Sequence, residues 1–504
     1  MASPSGTSRP ARGDCGPRPG TSPGGSRRPT APAAGGLFPP QDQSLGLDHL
    51  DLSPRLLRKA VYAGSNATSC AAGCDFLDEL AEQHLDPKAL ERAGRPIGAE
   101  RLQQRRDLLQ AWQDLPLAQR DGAPDRVDAP AAAAVMMDGG RLQIRPEPAE
   151  AATGAGPPPE PPAPVPAPPA APAGAAPATD EADEADEADE ADEADEASRQ
   201  RHWREDKVGV LAALGSEVHP ADPAPELPAA FRDPLLVLKL AREVGHLDGV
   251  PPAGAFRPTP PAESAPEPTE DGAGPAPAAE RAPRPGRPKV RSKRVVASRQ
   301  DSARFGPTLA AVAWSLGLFA AERRAFVADG AACNWTVQQA YFPRWTPILD
   351  FIHALSYVFA AALAGRRPAE GWEVYQHWIG WVWEGQVERL LGALQARLAE
   401  LPAEEEARAA VATCLGYVQE HQGRMNYAEY RRQGLPIMSS LVESVVKQIG
   451  RRVKGTEKFW TEAGAEALLQ LRADYLSDDD PLATFWQERA NRMTGQRPRH
   501  KRVA

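Results

Sequence analysis

The sequence predicts a mixed α/β protein: a mixed sheet with flanking helices, an N-terminal helical domain, an all-helical insertion and long disordered inserts. Three observations carry this expectation. Short apolar runs end in an acid at Asp138, Asp329 and Asp350 and alternate with amphipathic helical patterns, as strands and helices interleave in α/β cores. Residues 370–433 keep a helical pattern without a strand. Residues 1–45, 146–200 and 249–290 consist mainly of Pro, Ala, Gly, Ser and charge, a composition that cannot bury a core.

After the tail over 1–45, the pattern from Leu56 to about Gln113 is helical. A helix around Ser69–His84 carries Cys70, Cys74, Leu77 and Leu80 on one side. Asp86 then caps a second helix that has Pro87 at its first position and holds Leu90 and Ala93. A third helix runs over Ile97–Gln113. A short helix, a tight turn and another helix match either a DNA-reading helix-turn-helix or a plain helical bundle. Ala131–Arg145 reads as strand, bend, strand, with Asp138-Gly139-Gly140 at the bend; Asp-Gly is also the commonest hairpin dipeptide, so Asp138 taken alone reads first as a turn residue.

Asp206–Leu214 and Arg294–Ser298 read as further strands, and Pro234–Val244 and Ala303–Leu318 as helices. Arg324–Ala328 is a strand running into Asp329-Gly330, followed by a helix at Thr336–Tyr341. Thr346–Leu349 is a strand ending at Asp350, followed by the helix Ala354–Ala364. Trp372, Trp378, Trp381 and Trp383 cluster within the helical stretch, as core or as a base-stacking surface. In Leu435–Lys454, Ser439 or Ser440 can cap a helix with Glu443 in the place of a capping-box acid. Leu441, Val442, Val445, Val446, Ile449 and Val453 recur at helical spacing, and Lys447, Arg451 and Lys454 follow Glu443 down one face. This is either a capped amphipathic helix with a solvated face or a carboxylate followed by a track for phosphates. A basic helical tail closes the chain.

The net charge of the 504-residue chain is −10, but the Asp-Glu-Ala repeat from Asp180 to Glu196 alone holds 12 acids and no base. The remainder is near neutral with patches of cations, which admits a nucleic-acid partner. The five cysteines have no CxxC spacing, which argues against a disulfide framework or a zinc ribbon. The start, Met-Ala-Ser-Pro-Ser-Gly, has no apolar run of signal-peptide type. The most apolar run, Ile348–Ala364, is short for a membrane span and is interrupted by Asp350 and His353. The expectation is a cytoplasmic, nucleoid-associated protein without a membrane partner.

Two strands that end in Asp-Gly and a helix that begins with Glu443 would gather three carboxylates at strand ends and a helix start, where reacting groups collect in α/β sheets. Such a cluster repels itself unless cations sit within it. An all-oxygen donor set suits Mg²⁺ or Mn²⁺, and two such ions about 4 Å apart serve phosphodiester chemistry. His353, in Asp350-x-x-His353, reads either as a buried hydrogen-bonded histidine or as a group that orients the site or touches DNA.

Met137-Asp138-Gly139, Phe326-Val-Ala-Asp329-Gly330-Ala331, Ile348-Leu-Asp350-Phe-Ile-His353, Gly434-Leu-Pro-Ile437 with Val442-Glu443-Ser444, and Trp460-Thr-Glu-Ala463-Gly464-Ala465 together resemble the bacterial insertion-sequence DDE transposases of the mutator-like assemblage, closest to the Kra group. The resemblance covers roughly residues 50–145 and 200–475. It implies an RNase H-like core, with an all-helical insertion between the second Asp and the Glu helix. It implies catalytic and metal-binding roles for Asp138, Asp329 and Glu443 on two Mg²⁺ or Mn²⁺ ions, with Asp350 and His353 accessory. It also implies double-stranded DNA as partner, bound by a dimer, with Lys447, Arg451, Arg452 and Lys454 on the DNA. The sequence departs from the family at Met438-Ser439-Ser440, where Gly-Ser-Gly is usual, and in its two inserts. The alternatives are a catalytically inactive transposase-derived DNA-binding protein and a purely structural helical protein.

The expected organisation is a tail over 1–45, an N-terminal helical domain over 46–128 and core strands over 129–145. An insert follows over 146–200, more core over 201–248, a second insert over 249–290 and more core over 291–365. The helical insertion spans 366–434, the Glu-helix end of the core 435–475 and the basic tail 476–504.

Overall fold

The computed structural model describes residues 52–145, 202–245, 287–402, 406–455 and 458–493. The tail over 1–45, nearly all of both inserts and the final basic run Arg497–Arg502 lie outside the described residues.

In chain order the elements are α1 (Pro54–Asn66), α2 (Cys70–Ala81), α3 (Pro87–Gln113), the short α4 (Leu117–Arg120), β1 (Ala132–Ile144), β2 (Trp203–Gly215), α5 (Pro234–Val244), β3 (Lys289–Ser298) and α6 (Ser302–Ser315). Then come β4 (Arg323–Ala328), α7 (Ala332–Tyr341), β5 (Thr346–Leu349), α8 (Phe351–Leu363), α9 (Pro368–Trp383), α10 (Val387–Glu400), α11 (Glu406–His421) and α12 (Tyr427–Arg432). The last are α13 (Ser440–Val453), β6 (Phe459–Trp460), α14 (Glu462–Leu476) and α15 (Pro481–Met493).

The sheet order is β3-β2-β1-β4-β5, with β6 beside the far end of β1. β1 and β3 run antiparallel to β2, while β4 lies parallel to β1 and β5 parallel to β4. The sheet is therefore mixed, as expected. Its middle strands carry apolar buried stretches, Ala132–Met137 of β1 and Ala325–Ala328 of β4, as strands covered on both faces must. α13 packs across β1 and β2, α6 against β2 and α7, and α8 against α5, α9 and α11. The predicted helical insertion appears as α9–α12. Trp378 and Trp383 are buried in its core, with the Arg366 and Arg431 guanidinium groups over their rings, which favours the core reading of the tryptophan cluster.

Two local expectations are corrected. The predicted bend at Asp138-Gly139-Gly140 does not exist. β1 is one strand that pairs with β2 from Ala132 to Gln143. Gly140 answers a close approach: a Cβ there would meet Asp206 Oδ1 at 2.7 Å. The second and third predicted helices are one, α3, with Pro96 inside it. Their apolar faces join into one seam, Leu90, Ala93, Ile97 and Leu102, and Pro96 falls on the exposed side. Gly98 lets this seam close on α14, where a Cβ would lie 2.6 Å from that of Ala467.

The N-terminal helices pack against the C-terminal ones. Leu57, Val61, Leu90 and Ile97 share one apolar cluster with Leu471, Leu482 and Phe485, while other residues of α14, among them Leu468 and Leu469, belong to the main core. Arg101 Nε donates to Asp474 Oδ2 at 2.9 Å across the same seam. Among the described residues no helix is long and apolar enough to cross a membrane.

Candidate active site

The sheet register brings the predicted acids together. Met137 of β1 pairs with Ala328 of β4, and Ala328 pairs with Leu349 of β5. The next residue on each strand is Asp138, Asp329 and Asp350. Three neighbouring parallel strands thus place a carboxylate at the same level.

Each acid is held differently. Asp138 accepts from its neighbour Gly139 N at 2.7 Å. Asp329 Oδ1 accepts from Ala331 N at 2.9 Å and from Asn334 Nδ2 at 2.7 Å, so the first turn of α7 orients it. Asp350 is fully buried. Its Oδ1 accepts from Ile352 N at 2.6 Å and His353 N at 3.1 Å, capping α8, and its Oδ2 accepts from the backbone N–H of Ser439. Asp350 therefore ties the start of α8 to the start of α13, where Glu443 sits.

Ser439 occupies the N-cap position of α13 but makes no side-chain cap. Its hydroxyl pairs instead with Glu443 Oε1 at 3.1 Å. The expected capping box is absent because Asp350, from another strand, already holds this helix start.

Among the described residues, the tight group of candidate ligands is Asp350, His353 and Glu443, each offering an atom within 4.8 Å of the others. It differs from the predicted trio. Asp138 and Asp329 stand beside it, near enough for their charges to act on His353 and Glu443. Burial raises the Asp138 carboxyl above its usual range, and the negative Asp329 and Asp350 add to this. Burial likewise raises Glu443, with Asp350 the next cause. Asp350 goes the other way. Full burial would raise it, but His353 and the Ser439 donor outweigh that and lower it. Burial pushes the His353 imidazole down, yet Asp350 at 3.4 Å from Nδ1, with Asp329 and Glu443 behind it, lifts it to about 9.

Comparison with protein-family models, with curated proteins and with solved structures finds no match to this chain.

The basic helix divides into two parts. Lys447, Arg451 and Lys454 are exposed, although Lys447 Nζ is bonded to Glu243 Oε2 at 2.6 Å. Arg452, expected on DNA, is only 4% exposed. Its Nε donates to Gly64 O at 2.9 Å, its Nη2 reaches Cys70 Sγ at 3.3 Å, and its guanidinium covers Trp460. Arg452 clamps the N-terminal helices to the core and has no face left for a phosphate.

Sequence reasoning missed the groups that support Asp329. Asn334 lies in the first turn of α7, five residues after the acid, and the bend at Gly330 brings its amide back to Asp329. Tyr417 and His421 reach in from α11 and cover Gly330. A Cβ at Gly330 would clash with the Tyr417 ring and lie 2.9 Å from both Tyr417 Oη and His421 Nε2. Tyr417 stacks on Tyr357 at 3.8 Å, and His421 packs edge-on to Tyr417 at 4.7 Å. The helical insertion is thus built onto the second acid.

Proposed function

We propose that the protein is a DNA transposase with an RNase H-like core, which cuts and joins the ends of a mobile element. The observation that carries the reading is the shared level of Asp138 and Asp329 on parallel neighbours, with Glu443 facing them from a helix that crosses β1. A further feature supports it: an all-helical segment separates β5 and α8 from α13, as the resemblance implies.

The donor set fits a divalent metal. Asp138 and Glu443 are half-buried carboxylates that resist ionisation beside other negative groups, the condition that a cation relieves. Asp138, Asp329 and Glu443 would hold Mg²⁺ or Mn²⁺. When bound, two such ions supply Lewis acidity for in-line attack at a phosphodiester.

The other residues do distinct work. Asp350 fixes the start of α13 and so the position of Glu443. His353, drawn toward its cationic form by Asp350, Asp329 and Glu443, offsets part of the carboxylate charge. Asn334 and the first turn of α7 hold the Asp329 rotamer, and Tyr417 and His421 shield its backbone from water. Exposed Arg451 and Lys454 extend toward flanking phosphates of double-stranded DNA, which a dimer of the protein would bind as a pair of ends. Water would attack the phosphodiester and the P–O3′ bond would break, leaving a 3′-hydroxyl and a 5′-phosphate; that hydroxyl, losing its proton, would attack a target phosphodiester, whose own P–O3′ bond breaks to release a target 3′-hydroxyl.

The test is Mg²⁺-dependent nicking of the terminal DNA of the element that encodes the chain. Site-specific nicks that vanish with chelator are the expected result. Specific binding to those ends without any cleavage would instead identify a catalytically inactive DNA-binding protein.

A further inference from the structure

Beyond the C-terminal end of α13 the structure forms a second polar feature that the transposase chemistry does not use. β6 pairs with the far end of β1, Gln143 beside Phe459 and Ile144 beside Trp460, and Arg145 N donates to Trp460 O at 2.7 Å. This sets Arg145 beside Phe459 at the mouth of a cleft of about 380 Å³ between the N-terminal helices and the core. Four cations line the cleft, Arg95, Arg145, Arg452 and Lys458, against one carboxylate, Glu91.

The cations are not equivalent. Arg452 is buried in the clamp described above, and Arg95 is bonded to Glu91. Lys458 Nζ donates to Thr68 O at 3.0 Å and to Arg451 O at 3.4 Å, which leaves its third proton for a ligand. Arg145 is exposed. Between them, Phe459 is 38% exposed, held from one side by His202 at 5.6 Å. An aromatic face standing among cations in a groove is the arrangement that binds a single nucleic-acid strand, phosphates on the cations and bases on the ring.

The cleft lies at the C-terminal end of α13, where Arg452 lines it and Lys458 Nζ reaches Arg451 O. From Glu443 to Lys454 the helix rises about 17 Å at 1.5 Å per residue, the span of about five base-pair steps at 3.4 Å each. Arg451 and Lys454 lie along that rise, and Lys458 follows in the chain.

We infer that this cleft is a DNA-strand site, in which Arg145 and Lys458 take backbone phosphates and Phe459 stacks one unpaired base. The proposal rests on the transposase reading and adds a preference: the bound DNA carries an unpaired base several steps from the cleavage point.

The experiment is a salt-dependent binding titration of the full chain with two probes, a blunt duplex and the same duplex with a short 3′ single-stranded overhang. Phe459→Ala should lower affinity for the overhang probe by about fivefold or more and leave the blunt duplex unchanged. Arg145→Ala with Lys458→Ala should weaken the overhang probe and flatten its log–log salt slope by about two units. Because Lys458 also ties two backbone segments, Arg145→Glu alone serves as a second variant, on an exposed side chain, and should weaken that probe too. Wild-type affinity and salt slope for the overhang probe in Phe459→Ala and Arg145→Glu would overturn the cleft while leaving the transposase reading standing. A wild-type protein that binds neither probe would remove both.

Discussion

The Ser439 backbone N–H donates to Asp350 Oδ2, and through this bond the strand β5 and the Glu443 helix share one buried carboxylate. Asp350→Ala should therefore orphan the donors at Ile352, His353 and Ser439 together. Each buried hydrogen bond to a charged group is worth about 1.5–3 kcal/mol, so chemical denaturation should show a loss of about 3 kcal/mol or more. Nicking should also fail, although Asp350 has little capacity left for a metal. A variant as stable as wild type would show that the two helix starts do not depend on this group.

Asp138→Ala and Asp329→Ala should each abolish Mg²⁺-dependent cleavage and leave DNA affinity largely intact. Each removes a candidate metal ligand and no phosphate contact. Glu443→Gln keeps the shape, so catalysis should fall while affinity holds or rises as a repulsion toward phosphate is relieved. Near-normal cleavage by any of the three would refute the site.

Gly330→Ala should force Tyr417 or His421 aside. The expected cost is about 1–3 kcal/mol, the usual range for overpacking a tight contact. Tyr417→Ala should cost stability by itself, and the double variant should lose less than the sum, because the residue that clashes is gone. Strict additivity in a double-mutant cycle would separate α11 from the second acid.

Asp206 supplies a pH test. Burial, against a smaller opposing effect from Lys454, raises its carboxyl to about 6. A raised acid favours the folded state while it keeps its proton. Its contribution is therefore complete below about pH 3.8, the unfolded value, and is lost as pH rises through about 6. At about 1.36 kcal/mol per unit the loss is on the order of 3 kcal/mol. Asp206→Asn should remove this part of the pH dependence between 4 and 7, measured by urea midpoints across that range. An unchanged profile would mean that Asp206 does not titrate in this window.

The first insert supplies a construction test. Ile144 N donates to His202 O at 2.8 Å, so the chain leaves β1 and re-enters β2 at one point. Replacing residues 147–200 with a short turn should preserve cooperative melting, since closing a shorter loop costs slightly less entropy. A large loss of folded protein would overturn this.

Most elements could be read from the sequence because their signals are local. Pro234–Val244 shows its cap, and the apolar runs ending at Asp329 and Asp350 mark β4 and β5 within a residue or two. The bend assigned at Asp138 failed because Gly139-Gly140 looks like a turn until β2 pairs alongside it. The break placed in α3 failed because Pro96 interrupts the pattern locally, whereas the seam of Leu90, Ala93, Ile97 and Leu102 continues through it and closes on α14 at Gly98 and Ala467. In the site, the acids were visible from their Asp-Gly and helix-start positions. Tyr417 and the Ser439–Asp350 bond were not, since each joins segments that meet only in the fold, and Asn334 was not because nothing in its local pattern marks it as the partner of Asp329 five residues before it. Arg452 misled because it stands next to Arg451 of the exposed stripe, while its own spacing from Val445 and Ile449 puts it on the buried face, where its guanidinium serves Gly64 and Trp460.

The cluster that joins Leu57, Val61, Leu90 and Ile97 to Leu471, Leu482 and Phe485 governs how the chain is made. The first helices leave the ribosome with an apolar seam and nothing to cover it. At about 5–20 residues per second, their partners on α14 and α15 emerge tens of seconds later. During that interval the seam can be captured by another nascent chain, and contacts of such long sequence separation form slowly even once both sides exist. Expression at lower temperature or with a holding chaperone should raise the folded yield, and a fragment ending before residue 460 should leave α1–α3 open to proteolysis.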